Sequence, residues 1–402
     1  MSISARICKN RPDNAGSRLE SGLAASKHRA DEEIYLKVGL IGLAGAGKTT
    51  LFYALTRGEG SPAGGGSNAL VAVVPVPDKR YDFAVGLFSP KKRTPATIEF
   101  LDGAAQVGTG QSAAGATTQK FGSDFFVGIR SVDAIVHVIR AFESPLASDP
   151  IDPLKELSTV AEEFLLADLQ TIENRLERIK KQLGTRKGGA VAPEVIEQQV
   201  LLKLKETLDE FKPLRTLTLT DDEKKIVKNF DFLTFKPVIV VANIGEDDLA
   251  EGEKLPALAK LIAECETSET QVIVLCAKAE REVAELPEEE QGEYLSALGI
   301  EQAARDRLIR AAYKALGVIS FFTVGEDEVR AWTIPIGSNA VTAAGRIHSD
   351  LARGFIRAEL LAFDDLIAAG TWEAAKSSGK LRLEGKDYVV KDGDILHVRF
   401  KV

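Results

Sequence analysis

The stretch Leu36-Lys37-Val38-Gly39-Leu40-Ile41-Gly42-Leu43-Ala44-Gly45-Ala46-Gly47-Lys48-Thr49-Thr50-Leu51-Phe52-Tyr53-Ala54-Leu55 decides the fold. From Gly42 to Thr49 it reads G-x-x-x-x-G-K-[ST], with an apolar run before it and an apolar helical pattern after it, the strand, loop and helix order that a phosphate-binding loop requires. Glycines let the backbone bend so that successive N–H groups face phosphate oxygens, and the helix N-terminus adds positive potential. Gly42, Gly45, Ala46, Gly47, Lys48, Thr49 and Thr50 are therefore the expected phosphate-binding residues. Lys48 places a point charge on the β- and γ-phosphates and is also the expected catalytic group, while Thr49 offers its hydroxyl to Mg²⁺. A glycine-rich turn with a chance lysine is the alternative, and it has to match every motif position and both flanks.

At 402 residues and 43.3 kDa the chain exceeds one hydrophobic core, so two or three domains are expected. Apolar content of 45% is ordinary for a globular protein, no run is long enough to span a membrane, and the N-terminus lacks an apolar signal core. These features predict a cytoplasmic protein without a membrane partner. Cys8, Cys265 and Cys276 are far apart and lack metal-ligand spacing, so structural thiols are expected. A net charge of −8 excludes coating of nucleic acid by bulk charge and leaves only local patches for RNA.

Beyond the loop, β-branched runs at Thr97 to Asp102, Ala134 to Ile139, Pro237 to Ala242 and Gln271 to Leu275 predict buried strands of a mostly parallel, doubly wound α/β sheet. Between the second and third of these runs the period changes. Leu165, Leu169, Ile172, Leu176, Ile179 and Leu183 follow a 4-3-4-3-4 spacing, and Leu201, Leu204, Leu208 and Phe211 repeat it after Pro193, which predicts two helices packed as an antiparallel hairpin. Lys180, Lys181, Arg186 and Lys187 gather at its tip, a candidate RNA contact or simply a solvated turn. From about Ser320 the texture becomes that of a small mixed α/β domain, with strands expected at Phe321–Val324, Val329–Ile334, Tyr388–Val390 and Ile395–Phe400 and a turn at Asp392-Gly393-Asp394. Arg346, His348, Arg353 and Arg357 are a second candidate positive face. Residues 1–33 are polar and aperiodic and are expected to be a disordered extension.

The base is read at the fourth strand. Val240-Val241-Ala242-Asn243-Ile244-Gly245-Glu246 occupies the place of the N-K-x-D element of guanine-specific enzymes, whose aspartate takes two hydrogen bonds from guanine. Ile244 stands for the lysine and the longer Glu246 for the aspartate, so guanine selectivity should weaken. Cys276-Ala277-Lys278 resembles the S-A-K loop that meets the base. Asn243, Ile244, Glu246, Cys276, Ala277 and Lys278 complete the expected nucleotide site.

With these elements in order, the chain resembles the YchF/Obg-like ATPases. The resemblance rests on the phosphate loop, Val74-Pro75-Val76-Pro77-Asp78, the Asn-x-x-Glu element and the hairpin insertion. Further along it rests on Glu328-Val329-Arg330-Ala331-Trp332, Ile347-His348-Ser349-Asp350, Gly354 to Glu359, and Gly379 to Asp394. It implies a Ras-like P-loop NTPase domain over 34–150 and 233–317, a helical coiled-coil insertion over 151–232, and a C-terminal β-grasp (TGS) domain over 318–402. It also implies an ATP-preferring, Mg²⁺-dependent enzyme that associates with ribosomes, with the hairpin tip and TGS domain as candidate contacts to rRNA or tRNA. Two departures bear on catalysis. The first switch lacks a threonine between Thr56 and Thr94. The second reads Asp102-Gly103-Ala104-Ala105-Gln106, which places Asp102 at the Mg²⁺ shell, Ala105 where a glycine is usual, and Gln106 where it could orient the attacking water. An ATP-hydrolysing regulator of translation is the first reading; a nucleotide-gated adaptor with little turnover and a GTP-binding protein are the alternatives.

Overall fold

The computed structural model describes residues 36–62, 69–102, 123–144, 150–185, 193–298, 300 and 302–401. Its first part runs β1 (Leu36–Ile41), α1 (Lys48–Thr56), β2 (Ser61–Pro62), β3 (Leu70–Pro75), α2 (Lys79–Phe88), β4 (Lys92–Thr94), β5 (Thr97–Asp102), α3 (Ser123–Arg130) and β6 (Ala134–Ala141). After a helical excursion it resumes with β7 (Val238–Ile244), and β8 (Gln271–Leu275) closes a seven-stranded sheet of order β2-β3-β5-β1-β6-β7-β8. Only the β2/β3 and β3/β5 pairs are antiparallel. All eight residues of β6 are buried, as expected of a parallel strand covered on both faces. The four β-branched runs are all strands, and β6 and β7 each continue two residues beyond the apolar run, which carries Arg140 and Asn243 to the end of the sheet where the loop lies.

The excursion consists of α4 (Pro153–Thr185), α5 (Pro193–Asp209) and α6 (Asp221–Val227). The 33 residues of α4 make a rod of about 50 Å at ~1.5 Å per residue. Ile172 and Ile179 of α4 pack with Leu201, Leu204 and Leu208 of α5, and Leu165, Leu169, Leu176 and Leu183 line the same seam. Arg175 makes a bidentate pair with Glu197 at 2.6 and 2.7 Å, and Lys205 meets Glu173 at 2.7 Å, fixing the register of the two helices. Phe211 departs from the expected seam. Its N–H and that of Lys212 close the end of α5 on the carbonyls of Leu208 and Thr207, the φ of +59° turns the side chain outward, and it is 79% exposed. At the root of the arm the buried Asp168 accepts from the N–H groups of Leu233 (3.0 Å) and Thr234 (2.8 Å) and from the Thr234 hydroxyl (2.8 Å).

Then come α7 (Ala259–Thr267), α8 (Ala277–Glu285), α9 (Glu288–Ala297) and α10 (Ala304–Ala315). Helices α1 and α10 cover one face of the sheet, whereas α3, α7 and the first turns of α4 cover the other.

The C-terminal part runs β9 (Val318–Thr323), β10 (Glu328–Pro335), α11 (Ala340–Ile347), α12 (Ser349–Arg353), β11 (Phe355–Leu361), α13 (Phe363–Ala369), α14 (Trp372–Ser377), β12 (Arg382–Glu384) and β13 (Ile395–Phe400). Its six-stranded sheet has the order β12-β11-β13-β9-β10-β4, so Lys92–Thr94 leaves its neighbours in sequence and pairs in parallel with Glu328–Arg330. The expected strand at Tyr388–Val390 is not a ladder strand. Asn339 and Val389 form one isolated bridge, the Val390 N–H donates to the Ser338 carbonyl, and the Tyr388 hydroxyl donates to Asp394, so the segment is held by a loop. Phe322, Val329, Leu361, Phe363 and Ile395 of this part share one core with Leu51, Tyr81, Ala84 and Leu308. Arg80 of α2 locks the joint: its guanidinium pairs with Asp78 (2.8 Å) and Asp392 (2.9 Å) and lies over the Phe322 ring.

Candidate nucleotide site

The loop after β1 has the conformation that its glycines were read to supply. Gly42 lies at φ +148°, where a Cβ would come within 2.2 Å of the Val138 carbonyl oxygen, and Gly47 lies at φ +90°, where a Cβ would come within 2.3 Å of Asn243 Nδ2. Side chains are excluded at both positions by neighbouring strands as well as by backbone strain. Lys48 opens α1, and its Nζ donates to the Gly42 and Leu43 carbonyls at 3.0 and 2.9 Å. Burial lowers the Lys48 pKa, against the opposing pull of Asp102 and Glu156. The ammonium is therefore poised over the loop on two weak acceptors that a phosphate oxygen can outcompete.

Thr49 Oγ1 donates to the Asp102 carboxylate at 2.7 Å. This pair brings together two of the expected metal ligands from residues 53 positions apart, and both are hard oxygen donors of the kind Mg²⁺ takes. Gln106 lies outside the described residues, as do the remainder of the second switch, residues 63–68 of the first and the hairpin tip at 186–192.

Asn243 ties the base side of the site to the phosphate side. It is 4% exposed; its Nδ2 donates to the Ala46 carbonyl at 2.9 Å, and its Oδ1 accepts from the Ala277 N–H at 2.8 Å. One amide thus joins the phosphate loop to the loop before α8. Beside it a cleft of about 760 Å³ is lined by Gly47, Thr50, Asn243, Ile244, Glu246, Cys276, Ala277 and Lys278. Glu246 is not left free at the cleft: Lys278 Nζ donates to it at 2.5 Å. Ile244 reaches the cleft wall but is otherwise buried with Leu258 and Leu261. Burial holds the Cys276 thiol above its ordinary pKa, which makes it a wall rather than a nucleophile.

Sequence reasoning missed Phe142, Arg281 and Glu282, which also line this cleft. Phe142 follows the end of β6 by one residue, so extending that apolar run would have reached it; Arg281 and Glu282 become legible only once α8 is placed. His137 lies in the wall of a different cavity. Glu156, in the first turn of α4, accepts from the Arg140 N–H at 3.2 Å and lies within electrostatic reach of Lys48, so the arm helix starts beside the phosphate loop. Among the described residues no cluster of three or more histidine, cysteine or acidic side chains could hold a metal by itself.

A mostly parallel sheet with this glycine loop at the end of its first strand, and a polar cleft beside it, defines a P-loop protein of Obg-like fold. The family model YchF-GTPase_C, described as a protein of unknown function (DUF933), matches residues 318–401. The chain is 42% identical over 373 residues to the ribosome-binding ATPase YchF of Bacillus subtilis (strain 168), covering 91% of this chain and all of that one. It is 38% identical to the ribosome-binding ATPase YchF of Escherichia coli O157:H7, covering 91% of this chain and 99% of that one. The solved structure of the Schizosaccharomyces pombe YchF GTPase superposes with a TM-score of 0.77 at 32% identity, covering 90% of this chain and 97% of that one. The chain belongs to the YchF family.

Proposed function

We propose that the chain binds ATP with Mg²⁺ through Gly42 to Thr50 and the cleft at Asn243, and acts as a ribosome-associated, nucleotide-dependent regulator of translation. The observation that carries this reading is the convergence of Lys48, Thr49, Asp102 and Asn243 on one loop, with a cleft of about 760 Å³ beside it. The phosphates would take Lys48 from the Gly42 and Leu43 carbonyls, and the N–H groups at the start of α1 would face their oxygens. Thr49 and Asp102 would hold Mg²⁺, which supplies charge neutralisation at the β- and γ-oxygens when bound. Lys48 would stabilise charge on the γ-phosphoryl group as water attacks.

The paired Glu246 and Lys278 support adenine over guanine. The edge of guanine offers adjacent N–H donors that need a free carboxylate, whereas that of adenine offers one donor and one acceptor, which a carboxylate and an ammonium side by side complement. The names of the relatives support the ribosome as partner. No helix among the described residues is long and apolar enough to cross a membrane. The C-terminal sheet, read as a TGS domain, and the arm are the proposed ribosome-contacting parts.

Single-turnover phosphate release from ATP, with and without ribosomes, separates enzyme from adaptor. Release that ribosomes accelerate and that Lys48→Ala abolishes is the expected result. ATP binding and ribosome co-sedimentation without any release would establish the adaptor instead.

A further inference from the structure

On the face of the first sheet opposite α1, a cleft of about 540 Å³ opens between the first half of α4, the floor of the sheet and the 211–215 turn. Leu157, Val160, Phe164 and Leu165 of α4 give it an apolar wall, and the exposed Phe211 stands at its mouth. Polar groups also line the cleft, and His137 and Arg215 are the two that bear on its occupant. His137 is 1% exposed, and its Nε2 is buried with no hydrogen-bond partner. Burial, assisted by Lys48, pushes the imidazole down to about 3, so it is neutral at physiological pH. A buried nitrogen left unsatisfied is costly and calls for a partner that the described residues do not provide.

At the rim stands Arg215. The residue as a whole is solvent-exposed, yet neighbouring protein crowds its guanidinium enough to lower its pKa, and no carboxylate offsets that shift. Glu162 and Glu264 also line the cleft, but neither ranks among the influences on Arg215. A cation at the mouth of an apolar cleft, without an acidic partner among the described residues, favours one class of occupant.

We infer that this cleft is a binding site for a small amphipathic anion, with its apolar body against Leu157, Phe164 and Phe211 and its anionic head on Arg215. The volume lies within the range of roughly 300–1,000 Å³ that holds small-molecule ligands. A cationic ligand would meet Arg215 with like charge, and a wholly polar one would desolvate against the α4 wall without compensation. Ile41, immediately before Gly42, and His137 belong to the lining, so the ligand sits directly behind the phosphate loop and apart from the cleft at Asn243.

Two probes that differ in one group test this on the full chain. 8-Anilinonaphthalene-1-sulfonate carries an anionic head, and N-phenyl-1-naphthylamine has the same rings without it. The sulfonate should bind at one equivalent per chain and about tenfold more tightly than the neutral probe. Arg215→Gln should weaken the sulfonate about tenfold and change the neutral probe less than about twofold. Ala161→Trp, at an exposed position of the cleft lining, should abolish both while the melting temperature and ATP affinity stay unchanged. The inference is overturned if the sulfonate does not bind, if several equivalents adsorb, if the two probes bind equally, or if either substitution leaves sulfonate binding intact. ATP titrations of the same variants report on the nucleotide site separately, so failure there leaves this outcome readable.

Discussion

Asn243 is the residue on which the two halves of the proposed nucleotide site meet. Its amide uses its oxygen on Ala277 and its nitrogen on Ala46, and both bonds are buried. Asn243→Ala would strand a carbonyl and an N–H, at a cost of roughly 1–3 kcal/mol for each group left unsatisfied. We expect urea denaturation to show that loss and calorimetry to show ATP affinity reduced at least about tenfold; unchanged values of both would mean that the clamp is incidental. The asparagine was legible as part of an N-K-x-D-like element, but its bond to the phosphate loop was not, because Ala46 is 197 positions away and only the fold brings them together. The role of Glu246 was similarly half legible. Its extra methylene was visible in sequence; its capture by Lys278 was not.

His137 gives stability a pH dependence of known sign. Its folded pKa is pushed down to about 3 while an unfolded histidine titrates near its ordinary 6.5, so the unfolded state binds the proton and the folded state refuses it. Stability attributable to this group is intact above about pH 6.5, falls as pH drops through that value, and levels off only near the folded pKa. By pH 5 the loss relative to pH 7 is about 2 kcal/mol, and His137→Leu should be spared it. Parallel urea curves for the two proteins at pH 7 and pH 5, with equal losses, would refute the burial of a neutral imidazole.

Among the elements, the arm shows what side-chain spacing can and cannot specify. The 4-3 repeat of leucines and isoleucines fixed both helices, because a buried stripe on a rod admits few other patterns. Phe211 continued the repeat in sequence and broke it in space, since α5 ends at Asp209 and the chain turns left-handed two residues later. The attachment of the arm rests on Asp168, whose carboxylate satisfies three donors around Leu233 and Thr234. Burial raises the pKa of this carboxyl, opposed by those same bonds. Asp168→Ala should cost about 3 kcal/mol or more, measured by chemical denaturation, through the stranded donors. A cost under about 0.5 kcal/mol, the level of a surface substitution, would show that the arm is anchored elsewhere. Short strands resisted reading for another reason: Lys92–Thr94 has no apolar alternation, and its partner lies more than 230 positions downstream.

Across the whole molecule, the two sheets are not independent bodies. One apolar core runs from α1 and α10 through α2 to β9, β10 and β13, β4 crosses from one segment to the other sheet, and Arg80 pins α2 to the turn at Asp392. Composition signalled a change of texture near Ser320, but a change of texture is not a break in packing. Calorimetric unfolding should therefore show the nucleotide-binding and C-terminal parts melting in one cooperative transition, and two well-separated transitions would contradict a shared core. A joint of this kind also restricts how a nucleotide signal can travel. It favours the arm, whose first turn places Glu156 near Lys48, over a hinge between the sheets.

The most direct measurement is calorimetric titration of the full chain with ATP and with GTP in the presence of Mg²⁺, repeated on Lys48→Ala. The account predicts that ATP binds at one equivalent and at least about tenfold more tightly than GTP, and that Lys48→Ala removes the heat of both. Folded protein that takes up neither nucleotide, or that prefers GTP about tenfold, would contradict it.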